Sequence, residues 1–327
     1  MATYHSGESA VQERAGLARQ AEFSLGGIGD TVPDAAAAFL SEQPMLIAGG
    51  ADREGRIWAT QLTGEPGFLR VPDPRTLLVG ALPSPEDPLH GILVDAGRGT
   101  APVRIGMIAI EPATRRRMRV NGRAVRSGDG LRVDLDQVVA NCPKYLQKRD
   151  VRLPGPDART RPGAARTATD GTRLSPAQQE ALRSADTFFV ATASDRGDAD
   201  ASHRGGNPGF VQVLSPSLLR WPDYTGNAMF LTLGNLLLNP AAGIFVPGWE
   251  TGTALHLTGT ARTVWDAEEI AGVPGAQRLV EFSVTAVREI TAASGLRWSS
   301  PEYSRFNPAV AVLPVPEPGA APTTRTP

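Results

Sequence analysis

The chain of 327 residues repeats itself, and the repeat limits its fold more than any other feature. Trp58–Phe68 aligns without gaps on Asp200–Phe210, so that Gly64, Pro66, Gly67 and Phe68 match Gly206, Pro208, Gly209 and Phe210. Further on, Ile105–Ala109 matches Ala242–Val246, and Asn121-Gly122-Arg123-Ala124 matches Thr258-Gly259-Thr260-Ala261. Glycine- and proline-rich turns resemble one another by chance, but three matches in the same order argue for two copies of one unit of about a hundred residues.

Each copy opens with a helix signal and continues with short apolar runs separated by turns. In the first, Pro33–Leu40 leads into Met45–Ala48 and Ile57–Gln61 across a glycine-rich hairpin. Strands then fit Phe68–Val71, Thr76–Val79, Val103–Ile110, Arg117–Val120, Ala124–Arg126 and Leu131–Val139. In the second, Ser175 caps a helix with Pro176 in its first turn. Thr187–Thr192, Phe210–Leu214, Gly243–Val246, Ala254–Thr258, Ala261–Val264 and Leu279–Val287 follow as strands. Short strands at this spacing, with 35 glycines and 28 prolines for turns, predict a mainly β (α+β) chain of antiparallel barrels with accessory helices. The expected divisions are a helical extension at 1–34, a first unit at 35–149 and a linker at 150–173. A second unit at 174–298 and a Pro-rich tail at 299–327 complete the chain.

Composition narrows the function. A net charge of -1 offers no overall attraction to nucleic acid or membrane. The single cysteine, Cys142, excludes a disulfide framework, and four scattered histidines without acidic companions predict no metal site. His5 falls in a flexible start, His90 in a loop and His256 on a barrel wall. Arg115-Arg116-Arg117 reads as a solvated hairpin turn. The amino terminus lacks an apolar signal core and no run is long enough to span a bilayer, so the cytoplasm is the expected compartment. Gly26-Gly27-Ile28-Gly29 lacks the final glycine and preceding strand of a dinucleotide fingerprint.

The two copies differ in chemistry. Ser202-His203-Arg204-Gly205-Gly206 is polar and basic, whereas the first copy has Gln61 and Leu62 where His203 and Arg204 stand. Gly226-Asn227 then predicts a helix start, with Asn227 as its cap, closed by Asn239-Pro240. An arginine and glycines facing a helix start suit a phosphate. A strand, turn and helix with a solvated basic loop is the alternative. The corresponding stretch of the first copy, 83–101, is broken by prolines and glycines, which leaves that copy as a structural partner.

The pattern S-H-R-G-G-x-P-G-F, then W-P-D-Y-x-G-N, then T-x-G-N-L-L-x-N-P resembles the pyridoxamine 5'-phosphate oxidase-like family, the FMN-binding split β-barrel flavoproteins. Asn141-Cys142-Pro143-Lys144-Tyr145 is similar to the segment that follows the barrel there. The resemblance implies two tandem split β-barrel units with FMN in the cleft between them. Both walls come from one chain, or a homodimer completes the cleft. It implies cofactor contacts at Ser202, His203, Arg204, Gly205, Tyr224, Asn227, Thr232 and Asn235, with Lys144 from the other barrel and Trp249 closing over the ring. His203 is the implied catalytic group, a flavin contact or proton donor.

A Ser-Arg-Lys phosphate run is replaced by Thr225-Gly226-Asn227, and an Arg-x-His tail is absent, which argues against pyridoxamine phosphate as substrate. The expectation is an FMN-dependent oxidoreductase acting on a small molecule, fed by a nicotinamide directly or through a separate NAD(P)H-linked reductase. The alternatives are the same fold with deazaflavin or haem, and a barrel that binds a ligand without catalysis.

Overall fold

The computed structural model describes residues 3–140, 143–152 and 165–310. Helices Ser6–Arg14 and Ala18–Leu25 lead into a two-residue strand, β1 (Ile28–Gly29), and helix Asp34–Glu42. The first unit continues with β2 (Met45–Ala51), β3 (Ile57–Thr63), β4 (Leu69–Asp73), β5 (Thr76–Val79) and a short helix, His90–Val94. It closes with β6 (Val103–Glu111), β7 (Arg116–Ser127) and β8 (Gly130–Ala140). After β9 (Val151–Arg152) and β10 (Thr167–Gly171), helix Pro176–Ser184 opens the second unit. There follow β11 (Thr187–Ala193), β12 (Ala199–Gly205), β13 (Gln212–Ser215), β14 (Leu218–Asp223) and helix Leu231–Leu238. β15 (Ala241–Pro247), β16 (Ala254–Val264), helix Ala267–Ala271, β17 (Arg278–Thr291) and β18 (Arg297–Trp298) end the order.

Both units are antiparallel sheets with one topology. The first runs β3-β2-β6-β7-β8-β5-β4, the second β12-β11-β15-β16-β17-β14-β13, and β1 and β10 add to β8 and β17 in the same way. The pairs predicted as separate strands at 117–126 and 254–264 are single strands, each carrying a register shift at its repeat-matched glycine, Gly122 and Gly259. A bulge lets a long strand bend around a barrel without ending.

Each barrel has its own core, and a third apolar cluster lies between them. Alternation along the strands produces this division. In β2, Leu46 and Ala48 enter the first barrel while Met45 and Ile47 face the second unit; in β11, Phe188 and Val190 point inward while Phe189 and Ala191 face the first unit. Strands buried on both faces read as unbroken apolar runs, as these do.

The contact between units is nearly symmetric. Gly49 lies against Ala191, its repeat-matched counterpart. Gly243 packs so closely on β3 that a Cβ would stand 2.6 Å from Trp58 Cα, and Gly106 meets Asp200, the match of Trp58, in the same way. The two barrels thus meet through one surface patch used twice, the arrangement of a twofold dimer, here within one polypeptide.

Three local expectations change. The helix begins at Leu231 rather than at Asn227, because Ala228 and Phe230 adopt positive φ (60° and 56°) and break the helical path. The Asn227 side chain instead accepts from Met229 N at 3.2 Å, a local turn. The stretch expected as linker, 150–173, contributes β9, which pairs with β18, and β10, which joins the second sheet. His5, expected in a flexible start, caps helix Ser6–Arg14, with Nδ1 accepting from Gly7 N and Glu8 N. Cys142 and tail residues 311–327 lie outside the described residues. Among the described residues no helix is long and apolar enough to cross a membrane, and no group of His, Cys, Asp and Glu is arranged to hold a metal.

Candidate functional site

A cleft opens where β7 and the segment after β8 of the first unit face β12, β14 and the loop before Leu231–Leu238 of the second. Lys144, Ser202, His203, Arg204, Gly205, Tyr224, Asn227 and Thr232 all line it, joined by Arg117 and Arg119. Four of the lining side chains are cationic (Arg117, Arg119, Lys144, Arg204) and one, Asp223, is a carboxylate. Asp223 is itself held by Arg278, with N–O distances of 3.0 and 2.9 Å. The cleft therefore carries a net positive field suited to an anion.

Alternation on β12 divides its side chains between two environments. Arg204 pairs opposite Phe188 on the side of the second barrel's core, whereas His203 pairs opposite Phe189 and turns toward the first unit. Arg117 Nη1 lies 3.0 Å from His203 Nδ1. Guanidinium only donates, so Nδ1 accepts and the ring proton sits on Nε2. That Nε2 is buried with no hydrogen-bond partner among the described residues, as is Arg204 Nε. Burial, then the Arg117 and Arg204 charges, hold His203 well below the usual imidazole range. It is neutral near pH 7 and carries a single N–H, at Nε2. Burial also lowers the Arg204 guanidinium.

Other side chains are already committed. Arg119 donates to Ala201 O at 3.0 Å and to Ser202 Oγ, and forms a 2.9 Å ion pair with Asp200. Thr232 Oγ1 donates to Asp200 at 3.4 Å. Gly205 runs so close to the Tyr145 carbonyl that no side chain fits there, which is reason enough for glycine. Tyr145 and Tyr224 stand at the mouth with ring centres 5.0 Å apart, and burial, then Tyr145, pushes the Tyr224 phenol up to about 12. Lys144 sits over the Phe306 ring.

Two expected contacts lie elsewhere. Asn235 faces away from the cleft, bonding Thr192 Oγ1 and His5 Nε2 at 3.1 Å each. Trp249 packs edge-on against Trp298 and beneath Arg149, in a separate hollow. Arg117 and Arg119 were not anticipated. Their signal was present: they alternate with core residues Met118 and Val120, and Ala254 and His256 stand at the matching places of the second copy.

The enclosed room is about 130 Å³. This is below the roughly 300–1,000 Å³ of a pocket that surrounds a whole small molecule. The enclosed part of the cleft therefore has room for one end of a small molecule, and the rest of the cleft is open.

Residues 174–293 match the family model described as pyridoxamine 5'-phosphate oxidase. That span is a domain of the pyridoxamine 5'-phosphate oxidase-like family. No curated protein matches the chain. Among solved structures, a putative pyridoxamine 5'-phosphate oxidase from Lactobacillus delbrueckii aligns at 18% identity and a TM-score of 0.30, over 35% of this chain and 93% of its own. The FAD binding protein from Mycobacterium smegmatis aligns at 16% and 0.27, over 37% and 98%. HupZ from Group A Streptococcus aligns at 13% and 0.28, over 34% and 90%. The β12 to β17 region, which carries His203 and Arg204, falls within the pyridoxamine 5'-phosphate oxidase-like domain.

Proposed function

We propose that the chain is a flavin-dependent oxidoreductase acting on a small molecule, with the phosphate end of FMN held in the cleft between its two units. One observation carries this reading: His203 Nε2 and Arg204 Nε, two buried N–H donors without a partner among the described residues, line one positively charged cleft. Buried donors are rarely left unmatched, so a bound acceptor is the economical account. Arg204, Arg117 and Lys144 supply charge, and His203 a neutral donor. Tyr145 and Tyr224 flank the planar part at the mouth. The flavin, when bound, supplies the redox chemistry; the chain binds, orients and sets the local charge. Electron supply by a separate NAD(P)H-linked reductase belongs to the same proposal.

The matching place in the other copy supports a single site per chain. His256 Nδ1 bonds Ala59 O at 2.9 Å, as Arg119 bonds Ala201 O, but Ala254, Gln61 and Leu62 stand where Arg117, His203 and Arg204 would be. The test is reconstitution of the purified chain with FMN, deazaflavin or haem, followed by absorption spectra and equilibrium dialysis. Retention of one FMN per chain is expected. A chain that stays colourless in excess FMN overturns the reading, and selective retention of deazaflavin or haem replaces the cofactor.

A further inference from the structure

We infer that the amino-terminal segment 3–29 is a clamp that holds loop 224–230 in its ligand-binding conformation, with Ser24 and Gln12 as its positioning residues; this rests on the cleft reading above. The loop is costly to hold alone, because Ala228 and Phe230 both adopt positive φ without being glycine. The amino-terminal segment grips its outer side. Ser24 Oγ donates to Asn227 O at 2.6 Å, Gln12 Nε2 to Met229 O at 3.2 Å and Gln20 Nε2 to Gly226 O at 3.4 Å.

A trans peptide is planar, so a carbonyl pointing one way sends the next N–H the other. With the carbonyls of 226, 227 and 229 turned to the clamp, the amides of Asn227, Ala228 and Phe230 turn toward the cleft that these residues line. Successive amides of this kind form an anion-binding concavity, beside His203 Nε2 and Arg204 Nε, which have no partner among the described residues.

The clamp is anchored on both units. Helix Ser6–Arg14 crosses helix Leu231–Leu238 so closely that a Cβ on Gly234 would stand 2.6 Å from Glu8 N. His5 Nε2 donates to Asn235 Oδ1 at 3.1 Å, its other nitrogen being the helix cap. On the far side β1 pairs with β8, and Tyr4 and Ile28 pack on a small cluster of Val139, Met229 and Leu231. The clamp therefore joins the end of the first unit's last strand to the loop of the second.

The test compares the full chain with Ser24→Ala, Gln12→Ala and Ser24→Thr. Hydrogen exchange of the 226–230 amides, measured without any cofactor, should quicken about two- to tenfold in the alanine variants, the effect of one net hydrogen bond, and return in Ser24→Thr. FMN affinity should fall by a similar factor while the cofactor-free melting temperature drops by no more than a few degrees. Unchanged exchange in both alanine variants overturns the clamp. Faster exchange with unchanged FMN affinity overturns its positioning role. Faster exchange in a protein whose native form takes no FMN leaves the clamp standing and removes the cofactor reading instead.

Discussion

Arg119 Nε lies 2.9 Å from Asp200 Oδ1 across the boundary between the two units, and both side chains are buried. Asp200 also receives Asn121 Nδ2 at 3.2 Å and Thr232 Oγ1, so one carboxylate ties β7 to β12 and to the cleft helix. Removing it strands a buried guanidinium. Asp200→Asn should destabilise the chain by roughly 3–5 kcal/mol, read from denaturant midpoints. Adding Arg119→Met should restore part of that loss; a double variant no better than the single would show that the pair is not coupled.

Arg204 and Arg116 separate site charge from surface charge. Arg116 pairs with Glu111 at the exposed start of β7. Arg204→Ala should weaken FMN binding at least about tenfold, the scale of a charge-assisted hydrogen bond, and Arg116→Ala should leave it unchanged. Calorimetric titration checks both; equal affinities refute the site.

Glu8 gives the amino-terminal helix a pH dependence. Burial, with a further push from Asp200 and relief from the His5 amide and Arg119, raises its carboxyl to about 7. The folded state then holds a proton that the unfolded state releases near 4.5, so stability declines as pH rises from about 4.5 to 7 and is level above. The loss is about 3 kcal/mol at most. Glu8→Gln should flatten this decline in thermal melts between pH 5 and 8.

His203 acts in the opposite sense. Its depressed basicity means that, below the ordinary imidazole range, the unfolded chain takes a proton the folded one refuses, so stability falls with pH there. Imidazole resonances should show His203 still neutral at pH 6, and Arg117→Gln should raise its titration point. A normal titration in the parent chain would contradict the buried geometry.

Gly106 tests the contact between units. A Cβ there runs into the Asp200 backbone, and Gly106→Ala should cost about 1–3 kcal/mol through overpacking. Gly128→Ala is not an equivalent control, because that glycine has positive φ; Gly226→Ala, with open space around it, is. Chemical denaturation of the three proteins decides.

Much of this architecture was legible because its determinants are local or repeated. Runs such as Met45–Ala48 and Thr187–Thr192 mark strands by their unbroken apolarity, and the matched Gly-Pro-Gly-Phe turns place them twice. The cleft was legible in its second-unit half, where His203, Arg204 and Tyr224 are close in sequence. Of its first-unit half only Lys144 was, and Arg117 and Arg119 were not. Arg117 reads as part of a solvated arginine triplet until strand pairing begins at Arg116 and aims alternate side chains across the boundary. The family resemblance implies Trp249 as a lid, but the β15–β16 turn carries it to Trp298. Asn227 looked like a cap because its type favours one, and the backbone at Ala228 and Phe230 overrides that preference. The misses at Trp249 and Asn227 concern direction in space, which composition and spacing do not encode.

The contact through Gly49 and Ala191 has a genetic consequence. In a dimer of identical subunits, every substitution appears on both sides of the axis, so improving one cleft necessarily alters its twin. Here the two sides are written by separate codons. Leucine at 62 and arginine at 204 are independent choices, and a change in one copy leaves the other copy's residue as it is.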